Sequence, residues 1–457
     1  MTVNETYLRR SLEGDRGLLD AVRDARLPDA FENAFGKVLL PRPFFVPEAE
    51  IRSTADDLAA FFELLFSMPD RLYGGALGRY CEALGIDRAR AAVMSRLADR
   101  PALYGRADLS HDGQSFKLFE LNVGSSLGGT DRAELARTLL EVPAFAAFAE
   151  EHGIGHVHTG ERLAEALREI SLPLTGGAQP VVAYVEANGG LAGSSHLARS
   201  FEEMMNRCGI DLVIGEIGQI EESGSRLRLH GRQIDVVLRY FTPNEIVDDP
   251  DGPRDLEPVL RAHEEGRVVL WTTPQSALFG NKGAMALMSD PRMRDGLSEA
   301  QTQLIDRILP WTRLLTPELV DHCRAYRTEL ILKPTADYGG AGIVAGWDST
   351  EQEWKDALDA AARGGFIVQR RVGSRPEQVV DPGTGEVSEW TATWGLFLLP
   401  SGYAGSYIRA LEDSAGVVRA GTFKTTTVFH TPDPAPRSSG TAVTKAELSE
   451  DVAWQAI

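Results

Sequence analysis

The sequence predicts a mixed α/β (α+β) chain built of several lobes. Three features point there: helical spacing over residues 1–100, a strand–helix–strand alternation over 180–240, and glycine-turned strand pairs on either side of that unit. At 457 residues, with 43% hydrophobic and 25% charged residues, the chain is too long for one simple core and has the balance of an ordinary globular protein.

The elements follow in order. Leu58, Phe61, Phe62, Leu65 and Phe66 recur at helical spacing, and Leu84, Ala91, Met94 and Leu97 do so more loosely. A proline-rich extended piece, 39–47, interrupts this helical region. Residues 116–121 (FKLFEL) alternate as a strand does. A glycine-rich turn at 123–130 comes next, then a helix from about Asp131, a residue type suited to an N-cap. Residues 181–186 read as an apolar strand, followed by a Gly/Ser turn and a helix near 197–207. A strand at 211–216, a short hairpin around 227–232 and a strand at 234–240 complete a βαβ-like unit, hence a small open α/β lobe. Residues 267–290 run strand, turn, helix. Residues 329–347 form a strand, a glycine turn and a strand, and 366–371 is a further strand. Residues 390–399 pair with 405–410 across a turn at 400–403. The Pro/Ser-rich tail from Thr431 is expected to be a mobile loop or linker, weakly helical at its end.

Composition excludes several function classes. The net charge is -19 and the pI near 5.0, so nucleic acid and anionic membranes are not expected partners. Cys81, Cys208 and Cys323 are widely spaced with no CxxC, which argues against a disulfide framework or a zinc site. The N-terminus carries no apolar h-region and no run approaches a membrane span, so a cytoplasmic location is expected.

Two clusters carry chemistry. The first is Arg106-Ala-Asp108 and then Glu120-Leu-Asn122, joined by a hairpin turn at 111–114. Residues i and i+2 of a strand share a face, so antiparallel neighbours would gather all four. Asp, Glu and Asn are hard oxygen ligands of the kind magnesium takes when phosphates complete its shell, and an arginine beside them suits a phosphate oxygen. Taken alone, the pattern also fits a solvated hairpin. The second cluster, 329–344, puts Lys333 at the end of an apolar strand, before a turn containing Tyr338, Gly339, Gly340 and Gly342. Glycines admit close approach of backbone N–H groups to phosphate, and the lysine adds a point charge. No P-loop is present, and the glycines lead into a strand rather than a helix, which excludes a dinucleotide-binding fingerprint. Between the clusters, Lys282 stands at a helix start, where a cation opposes the helix dipole unless an anion is bound; a solvent-facing lysine is the alternative. Arg239, at the end of a strand in the α/β lobe, could hold a substrate carboxylate or form a surface salt bridge.

The R-x-D … E-x-N pair resembles the metal- and phosphate-binding signature of ATP-grasp ligases. In that superfamily the strand lysine and glycine loop come first. Here residues 106–122 precede 282–342, an order similar to the circularly permuted ATP-grasp group that contains the synthetase part of glutathionylspermidine synthase. Asn281–Gly283, Lys333–Pro334, Val368–Gln369 and the late Ile408–Arg409 are also similar, and the resemblance covers roughly residues 40 to 430.

The resemblance implies a circularly permuted ATP-grasp fold divided as 1–105, a mainly helical region; 106–175, a metal-binding hairpin with helices; 176–275, a small α/β substrate lobe like a pre-ATP-grasp domain; 276–430, nucleotide-binding subdomains; and 431–457, a flexible tail. It implies ATP and two magnesium ions as cofactors. Asp108, Glu120 and Asn122 would hold metal, and Arg106 and Arg409 would act at the transferred phosphate and acyl phosphate. Lys282 and Lys333 would contact ATP phosphates, Tyr338, Gly339, Gly340 and Gly342 would cover them, and Gln369 with the backbone from Arg370 would form an adenine hinge. The stretch from Arg409 to Asp413 departs from the family's R-E-D-like pattern, and there is no room for an amidase half. The implied activity is a carbon–nitrogen ligase joining an unidentified small or peptide acid to an amine through an acyl phosphate. The alternatives are a kinase on the same scaffold and a catalytically inactive nucleotide-binding regulatory subunit. A homodimer is compatible with the sequence.

Overall fold

The computed structural model describes residues 1–97, 100–336, 339–412, 417–418 and 421–433. The expected tail from residue 434 onward, and Tyr338, lie outside the described residues. In chain order the strands are β1 (Phe44–Pro47), β2 (Gly105–His111), β3 (Phe116–Val123), β4 (Val181–Glu186), β5 (Asp211–Glu216), β6 (Ile220–Ser223), β7 (Arg226–Leu229), β8 (Arg232–Gln233) and β9 (Val236–Arg239). They continue as β10 (Val269–Trp271), β11 (Thr312–Leu314), β12 (Leu330–Pro334), β13 (Val344–Ala345), β14 (Phe366–Arg370), β15 (Pro376–Val380), β16 (Val387–Leu399), β17 (Gly402–Glu412) and β18 (Lys424–Thr431).

Strand β16 organises the largest sheet. Its second half, ATWGLFLL, is buried residue after residue, the pattern of a strand covered on both faces. Trp394, Leu396 and Leu398 join the apolar cluster that holds helix Glu48–Tyr73, while Phe397 and Leu399 point into a second cluster with helix Thr159–Thr175. The sheet order is β1-β18-β17-β16-β2-β3, with β15 also pairing β16. The proline-rich piece becomes β1, an edge strand parallel to β18, where Pro47 sits at the strand end. Leu58, Phe61, Phe62, Leu65 and Phe66 all lie buried on the 26-residue helix, which Gly74 ends in a left-handed cap at φ 61.

The α/β lobe is a parallel sheet of order β10-β9-β4-β5, covered by helices Leu191–Arg207 and Gly252–Glu264. The added hairpin forms its own three-stranded sheet, β6-β7-β8. The lysine-bearing segment forms an antiparallel sheet of order β11-β14-β12-β13 over a separate core with Trp354 and Leu358. Two local readings differ. Asp131 does not cap a helix: it lies in the short 3-10 turn Thr130–Arg132, the α-helix starts at Ala133, and its carboxylate accepts from Ser200 instead. The helix expected near 197 begins at Leu191, its first turn masked in the sequence by glycine and serine. No helix among the described residues is long and apolar enough to cross a membrane.

Candidate active site

The β2–β3 ladder sets Asp108 opposite Glu120 and Arg106 opposite Asn122. Period-two alternation therefore puts all four on one face. Arg106 grips Asp108 with two hydrogen bonds, Nε to Oδ1 at 2.8 Å and Nη2 to Oδ2 at 3.1 Å, and its Nη1 donates to the Gly128 carbonyl at 2.8 Å. The Asn122 amide donates to Asp108 Oδ2 at 3.3 Å. From β17, two strands away across β16, Arg409 reaches the same carboxylate at 2.6 Å. Asp108 is 1% exposed. Burial alone would push its pKa up, but Arg106 and Arg409 outweigh it and hold the carboxyl down to about 2.

Gly395 makes this convergence possible. It pairs with Asp108 on one side and Tyr407 on the other. A Cβ there would lie 2.4 Å from Tyr407 Cε1 and 3.2 Å from Arg106 Cδ, so a side chain would displace both. Over the vacancy, the Arg106 and Arg409 guanidinium carbons each lie 5.8 Å from the centre of the Tyr407 ring.

Two lysines close on the hairpin from the other side. Lys282 is the first residue of helix Lys282–Ser289, which Asn281 caps by accepting from Gly283 N–H at 2.8 Å. The Lys282 ammonium lies 3.1 Å from Glu120 Oε1, and its backbone N–H donates to Thr335 O at 2.9 Å, just past the end of β12. Lys333, on β12, donates to the Phe119 carbonyl at 2.9 Å and to Gln369 Oε1 at 2.7 Å. Both lysines are 3% exposed. Burial lowers the Lys333 pKa to about 8; Lys282 adds to the fall and Glu120 opposes it.

These groups border one cleft of about 1370 Å³. Arg106, Asp108, Glu120, Asn122, Arg239, Lys333, Gly339, Gly340, Gln369, Arg370 and Arg409 all line it. Lys282 and Gly342 do not line it: Lys282 contacts the lining residue Glu120, and Gly342 lies in sequence between the lining residues Ala341 and Ile343. Gly339, Gly340 and Gly342 have φ of 67, 80 and 66, conformations that exact no steric cost only from glycine. The Gln369 side chain is tied inward, to Lys333 and to Thr312 Oγ1 at 3.0 Å. The backbone from Arg370 onward borders the cleft, with Arg370 N–H donating to Trp311 O at 2.8 Å. Arg239 is buried rather than surface-paired. Its Nε donates to Thr272 O at 2.8 Å and its Nη2 to Ser276 Oγ at 3.1 Å, which ties the cleft wall to the segment after β10.

The oxygen donors Asp108, Glu120 and Asn122 suit a hard divalent cation whose remaining positions are taken by phosphate and water. Among the described residues there is no group of three His, Cys, Asp or Glu side chains placed to hold a metal, so the candidate donor set depends on the Asn122 amide as well as the two carboxylates.

Sequence reasoning missed Arg132 and Tyr407. Arg132 lines the cleft, and its guanidinium carbon lies 6.0 Å from the centre of the buried Tyr407 ring behind it. Tyr407 stands two residues before Arg409 on the same strand, and that spacing was an available signal.

A scan against protein-family models found no match, and neither did a search of curated proteins. Among solved structures, the chain is similar to a glutathione synthetase-like effector from Globodera pallida in its apo form. The identity is 14%, over 91% of this chain and 97% of that one, with a TM-score of 0.55, so the two share a fold. Looser similarity extends to a γ-glutamylcysteine synthetase-like protein from Methylobacillus flagellatus KT, at 12% identity over 81% and 88% of the two chains with a TM-score of 0.42. It extends also to D-alanyl-alanine synthetase A from Vibrio cholerae O1 biovar eltor, at 10% identity over 61% and 80% with a TM-score of 0.28.

Proposed function

We propose that the chain is an ATP- and magnesium-dependent ligase that joins a carboxylate to an amine through an acyl phosphate, on a circularly permuted ATP-grasp scaffold. The observation that carries this reading is the meeting of two distant segments. Cations at 282 and 333 close onto the acidic hairpin 106–122, with Lys282 on Glu120 and Lys333 on the Phe119 carbonyl. The fold shared with a glutathione synthetase-like effector supports the same class of chemistry. The permuted order rests on the chain itself, in which the acidic strands β2 and β3 precede the lysine strand β12.

The reaction has two displacements. A carboxylate oxygen of the acid attacks the γ-phosphorus of ATP, the bond to the β–γ bridging oxygen breaks, and ADP leaves. The amine nitrogen then attacks the acyl carbon, phosphate departs, and the nitrogen gives up a proton. Attack of one anion on another requires positive charge fixed in advance. Arg106 and Arg409 supply it where they converge on Asp108, and Lys282 and Lys333 supply it along the triphosphate. Asp108, Glu120 and Asn122 would hold magnesium, which neutralises phosphate charge and polarises the transferred group. The glycine turn 339–342 and the loop 124–130 shield the acyl phosphate from water. Arg239 braces the substrate lobe against the cleft.

An ADP-release screen over acid–amine pairs, with mass spectrometry of the products, tests the proposal. An amide with stoichiometric ADP is expected. A stable phosphoryl product would make the protein a kinase. Nucleotide binding with no turnover on any pair would make it a regulatory subunit.

A further inference from the structure

We propose that the part of the cleft bordered by Arg132 receives the acid substrate, and that this acid has an apolar body: its carboxylate meets Arg132, and its body lies on Val38, Leu127 and Leu197. The proposal rests on the ligase reading for the word substrate, but the subsite stands on its own observations.

Arg132 is 6% exposed and lines the cleft. Among the described residues its guanidinium hydrogen-bonds through Nη1 alone, to Asp131 at 2.7 Å, and its buried Nε has no partner. Its guanidinium carbon lies over the Phe35 ring, 3.2 Å from its centre, so the cation sits against an aromatic face. Asp131 is itself pinned by Ser200 Oγ at 2.6 Å, from helix Leu191–Arg207. A guanidinium held on a ring, braced by one carboxylate and left with unused donors is built to receive an anion. Burial lowers the pKa of Arg132, and Arg409 adds to the fall, so an arriving carboxylate offsets a strain already present. Arg132 and Arg409 border the same Tyr407 ring, at 6.0 and 5.8 Å, which sets this carboxylate site beside the phosphate-handling groups.

The apolar wall comes from three separate parts of the chain. On helix Leu191–Arg207, Ser194, Leu197 and Phe201 face the cleft at helical spacing, with the N-cap Gly190 ahead of them and His196 beside Leu197. Leu197 is 39% exposed and belongs to no apolar core among the described residues, so its exposed surface is the cleft's. Val38 and Phe35 line the cleft from the N-terminal segment, which packs on that helix where Ala30 N–H donates to Glu203 at 3.0 Å. Leu127 comes from the glycine-rich loop. An acid with a second charge would desolvate that charge against this wall, whereas an apolar body would not.

Calorimetric titration of L-leucine and L-phenylalanine, against L-aspartate and L-glutamate, in the presence of magnesium and ADP, tests the subsite without requiring turnover. The apolar pair is expected to bind about tenfold tighter or more. Leu197→Glu, on an exposed helix face, is expected to remove that preference with ADP affinity unchanged. Arg132→Met is expected to weaken all four, and Arg132→Lys to restore part of the loss. Tighter binding of the acidic pair, or unaltered leucine binding in Leu197→Glu, overturns the proposal. Absence of ADP formation with every acid would overturn the ligase reading, and the binding data would still decide the subsite.

Discussion

Asp108 and Glu120 face each other across two hydrogen-bonded strands, yet each carboxylate is held by cations from a different part of the chain. Asp108 takes Arg106 from its own strand and Arg409 from β17, while Glu120 takes Lys282 from a helix start some 160 residues on. The pair therefore joins the central sheet to the lysine-bearing lobe. Under the proposed ligase reading, these internal ion pairs occupy the positions that metal and phosphate would take.

Removing the Glu120 carboxylate should separate chemistry from folding. Glu120→Gln keeps the side chain's shape, and the carboxylate is partly exposed, at 20%, so the fold is expected to persist although the buried Lys282 loses its counter-charge. ADP formation is expected to fall about a hundredfold or more, as when a fixed electrostatic group is lost from a transition state. Phosphate release and thermal unfolding, measured together, check this: unchanged turnover would count against the site.

Asp108→Asn should act on stability as well. It leaves Arg106 and Arg409 buried without their shared anion, a change expected to cost about 3–5 kcal/mol. The folded-state pKa of Asp108, about 2, lies below the ordinary carboxylate value, so its stabilisation is fully present above the unfolded pKa and is lost as pH falls toward 2. Urea unfolding of the wild type should weaken over that acid window, and the Asn variant should lack this component.

Tyr407 offers a test of how the arginines are arranged. Gly129 has φ 97, and a Cβ there would lie 2.4 Å from Tyr407 Cζ. Gly395 approaches the same ring from the neighbouring strand. Gly129→Ala must therefore move the ring around which Arg106, Arg132 and Arg409 gather, at a cost of about 1–3 kcal/mol from overpacking. A larger effect on kcat than on the KM for ATP is expected. A variant with wild-type kinetics would show that the ring does not set the arginines.

Much of this site was legible because strand alternation is a local rule. The spacing of Arg106 with Asp108 and of Glu120 with Asn122 sufficed to put four side chains on one face. What no local rule reveals is strand order. Arg409 meets Asp108 only because β16 lies between β17 and β2, a pairing settled by a buried strand more than 270 residues from β2. Arg132 escaped notice because residues 130–132 form a 3-10 turn, with no periodicity to mark a face. Asp131 looked like a helix cap, but Ser200 from another helix competes for its carboxylate and wins. Arg239 left two readings open, a substrate-carboxylate holder or a surface salt bridge, because the partners that bury it, Thr272 and Ser276, belong to a later connection.

Nucleotide binding should take up a proton at mildly alkaline pH, and Lys333 is the reason. Burial depresses its pKa to about 8, helped by Lys282 and opposed by Glu120, so in the free protein it loses its charge as pH rises through 8. Because this folded-state value lies below that of the unfolded chain, the cost of burying the ammonium is present below about 8 and relieved above it. An anionic phosphate beside the ammonium favours the charged form and moves the pKa back up. Between the free and bound values, binding must therefore be accompanied by protonation. Calorimetry of ADP binding at pH 8.5, in two buffers of different ionisation enthalpy, reads the proton count directly, and Lys333→Met should abolish the buffer dependence. Affinity in the wild type is expected to fall as pH rises from 8 to 10. Buffer-independent heats in the wild type would mean that Lys333 does not meet the phosphates.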